Sequence, residues 1–266
     1  MTPTALLPHT QYLDLLDRHG RAGVEALGRL LPEERVGPLK EEALTYAQEH
    51  LGTLAVWEWL LRHPESDWRA YEGQTPPVVL EDVLAEISRV RDELTRLLVD
   101  VGPDVELDYF GRPGTSHEVA RLLAHEAINV ALAASEVSSL EPPALHPDVA
   151  ADCVDRALAH WAEPGADVLW QPAPAHLVAS DTDSSWWVRF GTDREGVLGD
   201  IALGSPGRPV LTVTDSAAGL LRWLHDYPGS GAVVEGEAAA ERAFKVALGH
   251  RVEPEPRRRS WWRRAQ

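Results

Sequence analysis

The 266-residue chain has one cysteine, one methionine and three phenylalanines. A lone cysteine, Cys153, excludes an intrachain disulfide, a cysteine-based zinc site and a CxxC redox pair. It lies in the helical pattern ADCVDRALAHW, where a small buried side chain is the default and a nucleophile the exception. Lysine is almost absent: Lys40 and Lys245 stand alone against many arginines, and Asn129 is the sole asparagine. Scarcity of residues with AT-rich codons suggests a GC-rich genome. No apolar run approaches the ~18 residues of a membrane span. The opening MTPTALLPHTQYLDLLDRHG lacks the basic start and continuous apolar block of a signal peptide. A soluble, cytoplasmic protein is therefore expected. HExxH, GxSxG and P-loop patterns are also missing, and no Ser-His-Asp triad can be assigned.

Positive charge is in deficit. Forty-two acidic residues face 25 basic ones, for a net −17. A body this acidic repels phosphate backbones, which disfavours nucleic acid as a partner. The exception is the ending RRRSWWRRAQ, with five arginines and no acid. Trp261 and Trp262 between arginines could sit on an anionic membrane or an acidic partner. A frayed terminus lying loosely on the acidic body is the favoured reading.

What is present is abundant helical periodicity. Residues 10–31 place Leu13, Leu16, Leu27, Leu30 and Leu31 near one face, interrupted by Gly20 and Gly23. Residues 41–62 place Leu44, Ala47, His50, Leu51, Leu54, Trp57 and Leu61 at spacings of three and four. Residues 80–99 repeat the pattern, and Gly102-Pro103 ends it. Ser116 is a plausible N-cap for a fourth helix over 117–138. Four such helices predict an up-and-down bundle over 1–145.

Pro142-Pro143 and Pro147 mark a joint, and a helix over about 148–161 follows. The texture then changes to short strands, AHLVAS, SWWVRF, VLGDIAL and PVLTV, separated by turn residues. Asp215 or Ser216 can cap a helix AAGLLRWLH; a strand AVVEG precedes a last helix AAAERAFKVAL. The expectation for 146–256 is a linker helix and a small α+β domain, with 257–266 as a basic tail. The fold class is thus mixed: a four-helix bundle followed by α+β.

Two polar residues stand where the bundle stripes call for apolar ones. His50 falls on Ala47–His50–Leu51–Leu54, and Glu126 on Val119–Leu122–Leu123–Glu126–Val130. A carboxylate facing a bundle core is costly unless paired, hydrogen-bonded or metal-bound. Histidine and carboxylate are also zinc-type ligands, and facing bundle helices commonly hold such sites. Periodicity alone favours the competing reading, a buried His–Glu hydrogen-bonded pair or side chains rotated just outside the core. His125 points about 100° away from Glu126 around its helix.

These segments resemble the mycothiol-dependent maleylpyruvate isomerase family, whose N-terminal part is a DinB-like bundle. His50-Leu51-Gly52 matches its His-Leu-Gly element. ARLLAHEAINVALAA resembles its ARxxAHExxxHRxDA helix, through Ala120-Arg121, Ala124-His125-Glu126 and Ala134. LHPDVAADCVDRALAHW is similar to the helix that follows. Asp181-Thr182-Asp183 before Trp186, the A-x-x-L-L-x-W-L stretch from Ala217 to Leu224, and Glu235-Gly236 resemble its C-terminal part. The likeness spans nearly the whole chain and implies a divalent, zinc-like metal held by His50 and Glu126, with mycothiol as thiol cosubstrate. Mycothiol is an actinobacterial thiol, in keeping with the GC-rich composition.

The match breaks at the third ligand. The second histidine of E-x-x-x-H is Val130 here, and the following Arg and Asp are Ala131 and Ala133. An aliphatic side chain cannot coordinate, which argues against a bound metal. The family's late arginine is also unmatched, with Arg222 preceding Trp223. Three functions follow. One is a divergent mycothiol-dependent isomerase or thiol S-transferase acting on a small electrophile. Another is a non-catalytic member that binds a small molecule or protein partner without metal. The last is a metal-free enzyme using the bundle pocket for different chemistry. By resemblance a homo-oligomer stays open, although no exposed apolar stripe argues for it.

Overall fold

The computed structural model describes residues 6–162, 170–192 and 199–249. The basic tail 257–266 lies outside the described residues, as do the first two residues of the expected strand VLGDIAL. The fold is mixed α and β, with seven α-helices and a five-stranded mixed sheet among the described residues. No helix among them is long and apolar enough to cross a membrane.

Four helices open the chain: α1 (His9–Leu27), α2 (Ala43–Arg62), α3 (Leu80–Val101) and α4 (Ser116–Ser138). α1 packs chiefly on α4 and also on α3, while α2 packs on α3. The two glycines that interrupt the α1 stripe are close-approach points. A Cβ at Gly20 would lie 2.6 Å from Cδ of Arg91, and one at Gly23 would lie 3.0 Å from Cγ1 of Val130. Glycine therefore lets α3 and α4 draw against α1.

The start of α4 differs from the sequence expectation. Its cap is Thr115, in a capping box with Glu118; Ser116 is already helical. Thr115 ends a strand, and its extended backbone aims the side chain at the open N–H groups of the first turn. The Ser116 hydroxyl instead donates to the Gly102 carbonyl at 2.5 Å and accepts from Val105 N–H at 3.2 Å. That strand is β4 (Arg112–Thr115), paired antiparallel with β3 (Glu106–Tyr109). Phe110 and Gly111 both have positive φ, as a two-residue primed hairpin turn requires. Gly111 turns, while Pro113 pairs opposite Asp108 on a two-stranded edge. A shorter pair, β1 (Arg35–Val36) with β2 (Glu41–Glu42), precedes α2.

α5 (Pro147–Trp161) begins with proline at its first turn, where a missing N–H costs nothing. The sheet that follows has the order β7-β6-β5-β8-β9. It comprises β5 (Trp170–Ala179), β6 (Ser185–Thr192), β7 (Gly199–Leu203), β8 (Leu211–Asp215) and β9 (Val233–Gly236). Only β5 and β8 run parallel. β5 starts five residues before the sequence reading places it, because Pro172 and Pro174 argue against a strand. Both prolines precede Ala175, where pairing with β8 begins, so neither leaves a gap in that ladder. α6 (Ala217–Leu224) and α7 (Ala238–Ala247) complete the fold, α6 against β5 and β8 and α7 against β6 and β7. The Asp181 carboxylate of the DTDS turn accepts the Ala217 N–H at 2.7 Å, and Ser216 caps α6 through Gly219 N–H at 3.0 Å.

Candidate functional site

α4 is sealed along most of its length. From Leu122 to Ser135 every residue is buried except Glu126 and Asn129. These two lie one turn apart and open a polar window in an apolar helix. α2 brings Tyr46 and His50, also one turn apart and both partly exposed. The chain after α6 brings Tyr227, whose hydroxyl donates to the Asn129 carbonyl at 3.5 Å.

Electrostatics tie this group together. Burial raises the Tyr46 phenol above its ordinary range, and the Glu126 carboxylate raises it further. Burial does the same to Tyr227, with contributions from Tyr46, Glu136 and Glu126. Both phenols therefore stay protonated as hydrogen-bond donors. Burial alone pulls the His50 imidazole down to about 4, so it is neutral near pH 7. Among the described residues no hydrogen bond or ion pair joins His50 to Glu126. The interlocked His–Glu pair is thus not what the side chains form.

The donor set does not fit a resident divalent ion. Val130 is buried with its methyl groups against Gly23 of α1, so the place where the resemblance implies a third ligand is an aliphatic helix–helix contact. The histidines of α1 do not replace it. His9 is bonded to the Leu98 carbonyl at 3.1 Å, and buried His19 lies 3.2 Å from the Arg18 guanidinium. Among the described residues no three His, Cys, Asp or Glu side chains are grouped to hold a metal ion. Two protein donors hold an ion weakly compared with three.

A second polar cluster escapes sequence reasoning. Asp152 of α5 is wholly buried. Its Oδ2 accepts from the Tyr12 hydroxyl at 2.8 Å and lies 3.0 Å from His125 Nε2; its Oδ1 accepts from Arg121 Nε at 3.0 Å. Arg121 also reaches Asp155 at 3.0 Å, and Asp155 accepts from the Trp186 indole at 3.3 Å. Burial works to raise the Asp152 carboxyl, but the bonds to His125 and Arg121, with the charge of Arg121, outweigh it and hold the group below its usual range. Burial keeps His125 neutral, at about 4. One carboxylate thus joins α1, α4 and α5, and its neighbour extends the chain to β6. The signal available in the sequence was an aspartate inside the apolar stripe of α5, next to Val149 and Cys153. Cys153 itself is buried, and burial pushes its thiol up. That suits a packed side chain, not a nucleophile.

A roomy opening beside the helices lies elsewhere. A cavity of about 670 Å³ separates α2 from α3 beneath residues 71–77, with Leu51, Gly52, Trp59, Tyr71 and Arg89 among its walls. His50 and Glu126 are not among those walls. Arg222 is also engaged, donating to the Pro228 carbonyl at 3.0 Å with Glu136 at 3.7 Å.

No family model matches the chain, and no curated protein matches it significantly. Among solved structures the fold matches a crystal structure of the mycothiol-dependent maleylpyruvate isomerase. The TM-score is 0.52 and the identity 15%, over 90% of this chain and 98% of that one. A crystal structure of a point mutant of that enzyme matches with the same values. At this identity the likeness is one of fold.

Proposed function

We propose that the chain is a divergent thiol-dependent enzyme, an isomerase or S-transferase that uses mycothiol on a small electrophilic substrate at the Glu126 window. The single observation behind this reading is that window: a carboxylate and an amide left accessible in a helix otherwise sealed from Leu122 to Ser135. The fold likeness to a mycothiol-dependent isomerase supplies the choice of thiol.

The chemistry needs a thiolate and an electrophilic alkene. The thiolate sulfur forms a bond to one alkene carbon while the π pair moves onto the conjugated carbonyl as an enolate. Rotation about the former double bond, now single, followed by return of the pair and loss of thiolate gives the isomer and regenerates the thiolate. Protonation of the enolate instead leaves the thiol attached. Tyr46 is held protonated and partly exposed, which suits it to donate to the enolate oxygen. His50, at about 4, is too weak a base to deprotonate a thiol whose ordinary pKa is near ~8.5. Turnover is then limited by the few per cent of thiolate present at pH 7, and its rate climbs with pH up to the thiol pKa.

The packing of Val130 on Gly23 favours a second reading, a non-catalytic protein that keeps the window for binding. Incubating the chain with mycothiol and a cis-conjugated diacid, with and without chelator, separates the two. Chelator-insensitive isomerisation or adduct formation that falls tenfold or more in Glu126→Ala supports the enzyme. Thiol binding without turnover leaves the second reading, and neither binding nor turnover removes both.

A further inference from the structure

A small pocket lies between the β3–β4 hairpin and helices α4 and α5, remote in composition from the Glu126 window. Its volume is about 80 Å³, enough for a few ordered waters or one small anion. Three guanidinium groups converge on it in a protein of net charge −17: Arg112 from β4, Arg121 from α4 and Arg156 from α5. Two of them have carboxylate partners. Arg112 reaches Glu118, a fellow wall residue, at 3.1 Å and lies over the Tyr109 ring at 4.5 Å; Arg121 is held by Asp152 and Asp155. Arg156 has no ion-pair partner among the described residues. Its charge pulls down on the neighbouring Tyr109 phenol, which burial raises, and its Nε is buried without a partner. A half-buried guanidinium with an orphaned donor is costly until an anion meets it.

We infer that this pocket binds a single phosphate group, free or as a monoester. The planar forks of arginine suit phosphate oxygens in bidentate geometry, and the volume admits one such group. Glu118 is tied to Arg112 and to the Thr115 N–H, at 2.9 Å, so its charge is partly spent on the helix cap. The exposed ring of Phe110 stands on the rim, beside which the organic part of an ester can lie.

Thermal unfolding and calorimetric titration with inorganic phosphate, and separately with phenyl phosphate, test this at constant ionic strength made up with chloride. The expected result is a saturable rise in Tm in phosphate, with affinity at least tenfold weaker in Arg156→Gln. An independent variant, Arg112→Gln, guards against a folding defect in the first and should also weaken binding. Tighter binding of phenyl phosphate identifies the head of a larger ligand; equal or weaker binding identifies the free ion. No saturable effect with either probe, or unchanged affinity in both variants, overturns the assignment.

Discussion

Arg121, His125 and Glu126 stand within six residues of one helix, yet they do opposite things. Arg121 and His125 turn toward α5 and end on Asp152, with almost every donor and acceptor matched. Glu126 turns the other way, toward Tyr46 and Tyr227, and remains half-exposed with no hydrogen-bond partner among the described residues. The matched cluster joins elements; the unmatched one leaves chemistry available. A polar residue in a helical core is therefore read by whether its partners are saturated, not by its type.

The largest expected effect tests the saturated side. Asp152→Ala leaves Arg121, His125 and Tyr12 buried without their acceptor and should cost about 3–5 kcal/mol in urea unfolding. A loss under about 1 kcal/mol would show that the cluster does not hold the fold together. Next is the α1–α4 contact between Gly23 and Val130. Gly23→Ala drives a methyl against Val130 and should cost about 1–3 kcal/mol. Adding Val130→Ala should restore part of it, with a coupling measurable in a double-mutant cycle.

Glu136, near the C-terminal end of α4, lies between the two extremes. Burial pushes its carboxyl up to about 7, against the pull of Arg222 and Lys40 and with a push from Asp226. Its folded pKa exceeds its unfolded one, so the fold favours the protonated form. The stability this confers is complete below about pH 4.5 and is lost as pH rises through about 7. Glu136→Gln should match the parent at pH 4 and exceed it at pH 8 by about 2 kcal/mol. Equal stability at both pH values would place the carboxyl in a solvated setting.

Much of this was legible in the sequence. The stripes of α1 to α4 carry the bundle because an apolar face at helical spacing has few alternatives, and the alternating segments carry the sheet. His50 and Glu126 stood out as polar intruders on those stripes. The β3–β4 hairpin was not legible, since Pro113 and Gly114 speak against a strand until the Phe110-Gly111 turn is seen. Nor was the Asp152 cluster. Its members come from residue 12 to residue 186, and nothing local tells an aspartate on α5 that a tyrosine of α1 will meet it. The 100° between His125 and Glu126 was readable, but what His125 faced instead required the tertiary structure.

The smallest stability effect belongs to Glu126. Removing an unmatched half-buried carboxylate should shift unfolding by about 1 kcal/mol or less, as expected where stability is given up for function. That makes Glu126→Ala the sharpest probe of the window. Calorimetric titration of mycothiol into the parent and into this variant, under conditions where both are folded, is the direct measurement. Thiol should bind the parent, and bind the variant at least tenfold more weakly, at nearly the same urea midpoint. Equal affinity in the two proteins would contradict it.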